Sequence, residues 1–292
     1  MAGSELPDPT GPTGPTGPAD TDPEAVAVRA ETLVPEPAEA LAGLLDIDPV
    51  PDGLLPPLWH WVYLLERRPQ RDLGPDGHPV SGIPAPPGPG RRRMFAGGRV
   101  ETRRPLVLGR PAERRTRVLS TTEKQGRTGP LTFVTVRSEI SQDGAVAVVD
   151  EQDIVYRSPG AALPAAATGA VPPPDRPRLV LEVDEALLFR FSALTYNAHR
   201  IHYDRGFVAH EGYADLVVHG PLQALMMGEL FRRNGVDLVG RRYAYRLVAP
   251  MIGPQPLTVA AAEAGLDTAS PEAEAFSAAG AVTARSRLEP AS

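Results

Sequence analysis

The chain has 292 residues, 42% of them apolar, and a formal net charge of −6 at pH 7. That balance argues against a nucleic-acid binder built on a basic face, and the length suits two modules of ordinary size. There is no cysteine, which excludes thiol nucleophiles, cysteine-ligated zinc, iron–sulfur centres and disulfides.

Residues 1–22 (MAGSELPDPTGPTGPTGPADTD) carry three Gly-Pro steps at a period of three. Three repeats are too few for a triple helix and offer nothing to bury, so a disordered tail is expected. The N-terminus has no charged-then-apolar leader pattern, and no run of about 18 apolar residues occurs. A cytoplasmic chain without a membrane partner is the expectation. Apolar spacing predicts a helix over Glu36 to Leu45, and the strongly apolar Leu58 to Leu65 (LWHWVYLL), entered through Pro56 and Pro57, predicts a second. A proline-rich loop, Gly82 to Gly90, follows. Strands are then expected over Arg99–Leu108, Arg115–Glu123, Gly129–Glu139 and Ala145–Tyr156; Leu131–Val136 (LTFVTV) alternates as a half-buried strand should. Basic residues cluster at Arg91–Arg93, Arg103–Arg104 and Arg114–Arg117, which suits a solvated face or a landing patch for a phosphorylated carrier such as coenzyme A.

Ala161 to Pro177 (AALPAAATGAVPPPDRP) reads as an extended linker. It divides an N-terminal module (23–160) from a C-terminal one (178–288). In the second module a strand is expected over Leu179–Val183, a helix over Val217–Phe231, and strands over Arg241–Val248 and Leu257–Glu263. Pro57-Leu58 and Pro221-Leu222 each open an expected helix, and Pro105–Gly109 (PLVLG) parallels Ala249–Gly253 (APMIG). The matching order predicts two related α+β modules in tandem, each a long helix wrapped by an antiparallel sheet.

Four of the six histidines, His199, His202, His210 and His219, fall within twenty-one residues just ahead of the second module's helix. His202 can exchange protons near neutral pH. Asn197, five residues earlier, offers both a donor and an acceptor. Gly220 precedes Pro221 at a helix start, where an open backbone N–H and the helix dipole favour a developing negative charge. Together they suit addition of water to an α,β-unsaturated thioester: Gly220 for the carbonyl oxygen, Asn197 for the water, His202 for the proton. A metal site drawn from His199, His202, His210, His219, Asp204 or Glu211 matches no standard ligand spacing, so none is expected.

The segment resembles the hydratase-2 motif of the MaoC-like hot-dog dehydratases, Ser-x-x-Ser-Gly-Asp-x-Asn-Pro-Ile-His-x-Asp, followed by a Gly-Phe pair and Ala-His-Gly-Met. Ser192, Thr195, Asn197, His199, Ile201, His202 and Asp204 fall in that frame, as do Gly212-Tyr213 and Val218-His219-Gly220-Pro221. The wording around Tyr196–Asp204 is similar to the branch holding mesaconyl-C4-CoA and itaconyl-CoA hydratases and the mitochondrial 3-hydroxyacyl thioester dehydratases. Pro57–Trp61, Gly77-His78-Pro79, Arg92–Met94 and Gln152–Arg157 support the same branch, and the resemblance covers most of residues 24–262. It implies a tandem hot-dog fold and a hydro-lyase acting on an acyl thioester, alternatively a 3-hydroxyacyl-acyl-carrier-protein dehydratase or a non-catalytic thioester binder. It further implies catalysis by Asn197, His202 and Gly220, with His199, Arg200, His219 and Val218 contacting substrate. Arg200 suits a substrate carboxylate, whereas Asp204 suits a loop brace. No cofactor beyond the thioester is expected, and a monomer or a homodimer fits a chain that already pairs two modules. One departure matters: Asn197 stands where the family has its catalytic Asp, and an amide cannot act as a general base. The first half has no such Asn/His pair and is expected to enlarge or close over the acyl tunnel, with Trp59, Trp61 and Tyr63 as core residues first.

Overall fold

A computed structural model describes residues 25–48, 53–85, 92–126, 129–157, 169–170 and 174–291. The expected tail and most of the expected linker lie outside those residues, as does the second half of the Gly82–Gly90 loop. In the first half the chain forms β1 (Ala27–Thr32), α1 (Glu36–Leu44), β2 (Leu54–Leu55), β3 (Arg92–Thr102), β4 (Leu106–Val107), β5 (Pro111–Gly126), β6 (Gly129–Gln142) and β7 (Ala145–Arg157). The second half forms β8 (Arg178–Val183), α2 (Glu185–Leu194), α3 (Arg205–His210), α4 (Gly220–Arg233), β9 (Arg241–Leu247), β10 (Gln255–Ala261), β11 (Glu272–Phe276) and β12 (Val282–Pro290).

Ten strands make one antiparallel sheet in the order β1-β5-β6-β7-β3-β9-β12-β11-β10-β8. Read outward from the β3–β9 seam, the two halves have the same order: the second and the last three strands of each half match in turn, and each half's first strand takes the outer edge. The expected tandem α+β organisation is therefore a pseudo-symmetric pair sharing one sheet.

The helix α4 has Pro221 in its first turn, where the missing N–H costs nothing. Its residues Leu222 to Phe231 are all buried, because the strands β8 to β12 curve around it. Arg232 and Arg233 close its last turn, favourably placed for the dipole. Their guanidinium groups converge on the buried carboxylate of Glu229, at 2.6 and 3.1 Å, and the Trp59 indole N–H donates to the same carboxylate at 2.9 Å. Glu229 thus ties the first half to the central helix of the second.

The first half departs from expectation at Leu58–Leu65, which is not a long helix. Only a single 3₁₀ turn forms, over Trp59–Val62. Leu58 sits in the left-handed region at φ 74° and its side chain packs over Gly228 of α4. The aromatic and β-branched residues that follow have weak helix preference, and each ring has a better offer elsewhere. Trp59 bonds Glu229, and Trp61 donates to Asp150 at 2.9 Å. Tyr63 donates to the Val34 carbonyl at 2.7 Å. Trp59 and Tyr63 are core as expected, whereas Trp61 is only partly buried. Among the described residues no helix is long and apolar enough to cross a membrane.

Removing the Glu229 carboxylate leaves the Trp59 N–H and two guanidinium groups without their shared acceptor. Glu229→Ala should destabilise the fold by about 3 kcal/mol, read as a lower midpoint in urea unfolding. A midpoint unchanged from that of the parent chain would contradict the role given to this carboxylate.

Candidate active site

A cavity of about 1150 Å³ opens between the two halves and is lined by residues of both. That is at the upper end of ordinary ligand sites, enough for an extended molecule. Asn197, His199, His202, Val218 and Gly220 line it from the second half; Trp61, Asp76, His78, Arg93 and Phe95 line it from the first.

His202 lies in a 3₁₀ turn, Arg200–His202, pinned to the segment ahead of α4 because Val217 N–H donates to the Ile201 carbonyl at 2.9 Å. Its Nδ1 is 2.6 Å from the Val217 carbonyl oxygen. A carbonyl only accepts, so Nδ1 carries the proton and Nε2 keeps its lone pair. Burial lowers the His202 pKa to about 4, against the partial support of that carbonyl and with a further push from His78. The imidazole is therefore neutral at pH 7 and able to accept a proton.

His219 stacks on His202 with ring centroids 3.6 Å apart and an interplanar angle of 19°. It is fully buried, its Nε2 lies 2.8 Å from the Ser192 hydroxyl of α2, and its Nδ1 has no protein partner. Burial, then the neighbouring histidines, holds its pKa well below 6.5. His219 does not line the cavity; it backs His202 from behind. Val218, almost wholly buried, does line it.

Asn197 follows Tyr196, a residue in the left-handed region. Its Oδ1 accepts the His199 N–H at 3.0 Å, an Asx turn that occupies the amide oxygen and leaves the NH₂ group as its remaining polar function. Gly220 is the first residue of α4, so its N–H lies among those that a helix leaves without an internal acceptor. A Cβ there would stand 2.3 Å from Leu247 Cδ1 and 3.2 Å from Phe95 Cδ1, so only glycine lets the strands approach this N–H so closely.

The first half contributes a loop that was not assigned a role from sequence. His78 Nδ1 donates to Asp76 Oδ2 at 2.9 Å, and the His78 ring lies 4.1 Å from that of His199. Gly77, at φ 87°, touches the facing loop of the second half so tightly that a Cβ would fall 1.8 Å from the Ala198 carbonyl oxygen. Burial alone would raise the Asp76 pKa, but the His78 hydrogen bond and charge bring it down to about 2. The pattern Gly77-His78-Pro79 is visible in the sequence, yet nothing local says that it faces His199. Asp76, His78 and His199 bring potential ligand atoms within 4.8 Å of one another, the arrangement among the described residues that could hold a metal ion.

Arg200 is placed differently from the substrate contact expected of it. Its Nη2 and Nε bind Asp204 Oδ2 at 2.6 and 2.9 Å, its Nη1 donates to the Pro75 carbonyl at 2.9 Å, and its guanidinium lies over the Phe207 ring. It is outside the cavity lining and braces the two loops together. Asp204 also accepts the Phe207 N–H as the N-cap of α3, the bracing role expected of it.

The buried imidazoles set a pH dependence of stability. Burial, followed by the charges of His78 and His202, lowers the His199 pKa to about 2, and that of His202 lies near 4, against 6.5 for an unperturbed histidine. Below 6.5 the unfolded chain binds protons that the folded chain refuses, so stability is full above that pH and falls as pH drops towards 4. Asp76 acts in the same sense at lower pH, since its contribution is lost as pH falls from 3.8 through about 2. The thermal midpoint should hold steady from pH 8 to 7 and drop between pH 6.5 and 4.5; a flat profile over that lower range contradicts neutral, desolvated histidines.

Comparison with known proteins agrees with this geometry. The family model for hydroxyacyl-thioester dehydratase type 2 matches residues 58–253. Mesaconyl-C(4)-CoA hydratase of Chloroflexus aurantiacus is 47% identical over 232 residues, covering 77% of this chain and 82% of that protein. The mitochondrial hydroxyacyl-thioester dehydratase type 2 of Schizosaccharomyces pombe is 37% identical over 82 residues, 27% of each chain. Among solved structures, HtdX of Mycobacterium tuberculosis superposes with a TM-score of 0.66 at 15% identity, over 91% of this chain and 100% of that one. Another M. tuberculosis protein, described as a double hotdog fold, gives 0.51 at 15% identity over 90% and 94%; these two likenesses concern the fold alone. With its paired five-strand halves, one central helix and the histidine cluster at that helix's start, the chain belongs to the hydroxyacyl-thioester dehydratase type 2 family and has the double hot-dog fold.

Proposed function

We propose that this chain catalyses the reversible hydration of an α,β-unsaturated acyl-CoA thioester, with a short dicarboxylic acyl group of the mesaconyl-C4 or itaconyl type as substrate. The observation that carries this reading is the lone pair on Nε2 of a neutral His202 on the same cavity wall as the half-buried start of α4 at Gly220.

In the hydration direction the thioester carbonyl accepts the Gly220 N–H, and the positive end of α4 stabilises the enolate oxygen that forms. The Asn197 NH₂ donates to the attacking water and fixes its direction. His202 Nε2 takes one proton of that water while its oxygen bonds to the β-carbon. The same imidazole then returns the proton to the α-carbon, and the enolate collapses to the 3-hydroxyacyl thioester. One water is consumed, both its hydrogens remain in the product, and no electrons leave the substrate, so the proposal includes no redox cofactor. The reverse sequence is the dehydration, and metabolite levels set the net direction. His219 and the Asp76–His78 pair serve as positioning groups for the proton-transfer histidine. This reading answers the substitution at Asn197: with a carboxylate missing there, a single imidazole both takes and gives the proton.

The test follows the loss of enoyl-thioester absorbance with mesaconyl-C4-CoA, itaconyl-CoA and crotonyl-CoA, alongside the matching acyl-carrier-protein thioesters. His202→Ala should lower kcat about 10³-fold, and Gly220→Ala should lower it about 10²-fold by displacing the Leu247 and Phe95 side chains around the donor. The kcat/KM of the parent chain should fall on acidification only as pH passes through about 4, where His202 gains a proton, rather than through 6.5. Undiminished turnover in a folded His202→Ala variant would sink the mechanism.

A further inference from the structure

The cavity holds a cation that the reaction described above does not use. Arg93 lies on β3 and lines the cavity; no hydrogen bond joins its guanidinium to a described residue, and its charge is supported only at longer range, by Tyr156, Asp76 and Glu66. Its neighbours are otherwise engaged. Arg92 is paired with Glu211, Nε to Oε2 at 3.0 Å, and also donates from Nη1 to the Glu211 carbonyl at 2.8 Å. Arg157 has interactions of its own, and the hydroxyl of Tyr156, the residue opposite Arg93 in the sheet, donates to the Ala85 carbonyl. A poorly solvated guanidinium with no hydrogen-bonded acceptor among the described residues is costly, and charges at longer range offset that cost less than a directly bonded anion does.

Its position narrows the ligand. Arg93 and Phe95 are two residues apart on one strand, before the irregularity that follows Phe95, so they share a face with about 7 Å between their Cα atoms. Phe95 is the residue whose ring closes on Gly220. Arg93 therefore stands one strand step along the wall from the carbonyl-binding N–H, and it is close enough to His199 to be felt electrostatically there. Arg114, another cavity cation, has a buried Nε without a partner, but it is on β5, three strands from β3 and hence about 14 Å away across the sheet. It is too remote to serve the same short acyl group.

The geometry points to Arg93 as the binding site for a second, free carboxylate on the acyl group, fixing a dicarboxylic thioester with its carbonyl at Gly220. This rests on the proposed thioester site and deepens it, and it transfers to Arg93 the carboxylate role that the sequence suggested for Arg200. A planar guanidinium with free donors binds a carboxylate in two-pronged fashion. The burial that disfavours its charge strengthens its pairing with an anion.

The experiment is a binding measurement, so its result does not depend on turnover. Succinyl-CoA and butyryl-CoA, saturated esters that differ by the terminal carboxylate, are titrated calorimetrically into the full chain and into Arg93→Gln, Arg93→Lys and Arg114→Gln. The parent chain should bind succinyl-CoA about 30-fold more tightly than butyryl-CoA. Arg93→Gln should reduce that ratio to within about twofold of unity, and Arg93→Lys, which keeps the charge but loses the fork, should fall between. Thermal melting checks that each variant is folded, and Arg93→Lys keeps the test open if the glutamine variant is not. Absence of any preference in the parent chain overturns the inference, as does a preference that survives in Arg93→Gln or disappears instead in Arg114→Gln. Failure of the hydratase reading would show separately, as carboxylate-dependent binding without turnover of any enoyl ester.

Discussion

Six residue pairs between β3 and β9, from Gly97 with Arg246 to Thr102 with Arg241, join the two halves into one sheet. Everything at the site depends on this seam. It carries Phe95 and Arg93 to the start of α4, and it sets the cavity between one half that holds α4 and another that supplies the facing wall. The Asp76–Gly77–His78 loop reaches the same place from the other side, locked by the Arg200 N–H to Asp76 carbonyl bond at 2.9 Å. Neither half alone would enclose the histidines, and without enclosure their basicity would be that of free imidazole.

The electrostatics of that enclosure are one-sided. His199, His202 and His219 are kept neutral chiefly by burial, while the carboxylate in their neighbourhood, Asp76, is already bonded to His78. Around the histidines the wall therefore presents lone pairs, N–H donors and the Arg93 guanidinium, while the carboxylates that also line the cavity are engaged by cations or donors: Asp76 by His78, Glu66 by Arg68, Glu211 by Arg92 and Asp150 by Trp61. Such a cavity stabilises charge that arrives with the substrate or develops during reaction, where preorganised donors in a poorly solvated site act most strongly. The same desolvation lowers the acid stability of the fold, a local concession of the kind functional sites commonly make.

Much of this was legible in the sequence. The strands β5 to β7 and the helix α4 were readable because their apolar patterns have the right periods, although the pattern began α4 at Val217, three residues before the Gly220-Pro221 start, and began the strand β3 at Arg99 instead of Arg92. His202 and Asn197 stood out by spacing and resemblance, and both face the cavity. The elements β1, α2 and α3, the facing of the Asp76–His78 loop and the withdrawal of His219 from the cavity were not legible, and neither were three further features. Leu58–Leu65 has the composition of a buried helix, but its rings are drawn to Glu229, Asp150 and Val34, partners distant in sequence. β11 and β12 are rich in alanine and charged residues, a composition with weak strand preference, and form because β10 and β9 offer edges on either side. Arg200 looked like a ligand because it sits in the motif. Its true partners, Asp204 four residues on and the Pro75 carbonyl across the cavity's rim, show how a motif's spacing locates a residue without aiming its side chain.

The two halves share one strand order but not one helix start. At the place equivalent to the start of α4, Leu58 turns left-handed and the chain makes a single 3₁₀ turn, so no second row of aligned N–H groups exists there. The first half thus supplies a wall to the cavity and no helix start. Substitutions on its wall, at Trp61, Arg93 or Phe95, can reshape which acyl group is accepted while His202 and Asn197 remain untouched. A duplicated fold of this kind separates the evolution of selectivity from the conservation of chemistry, within one polypeptide.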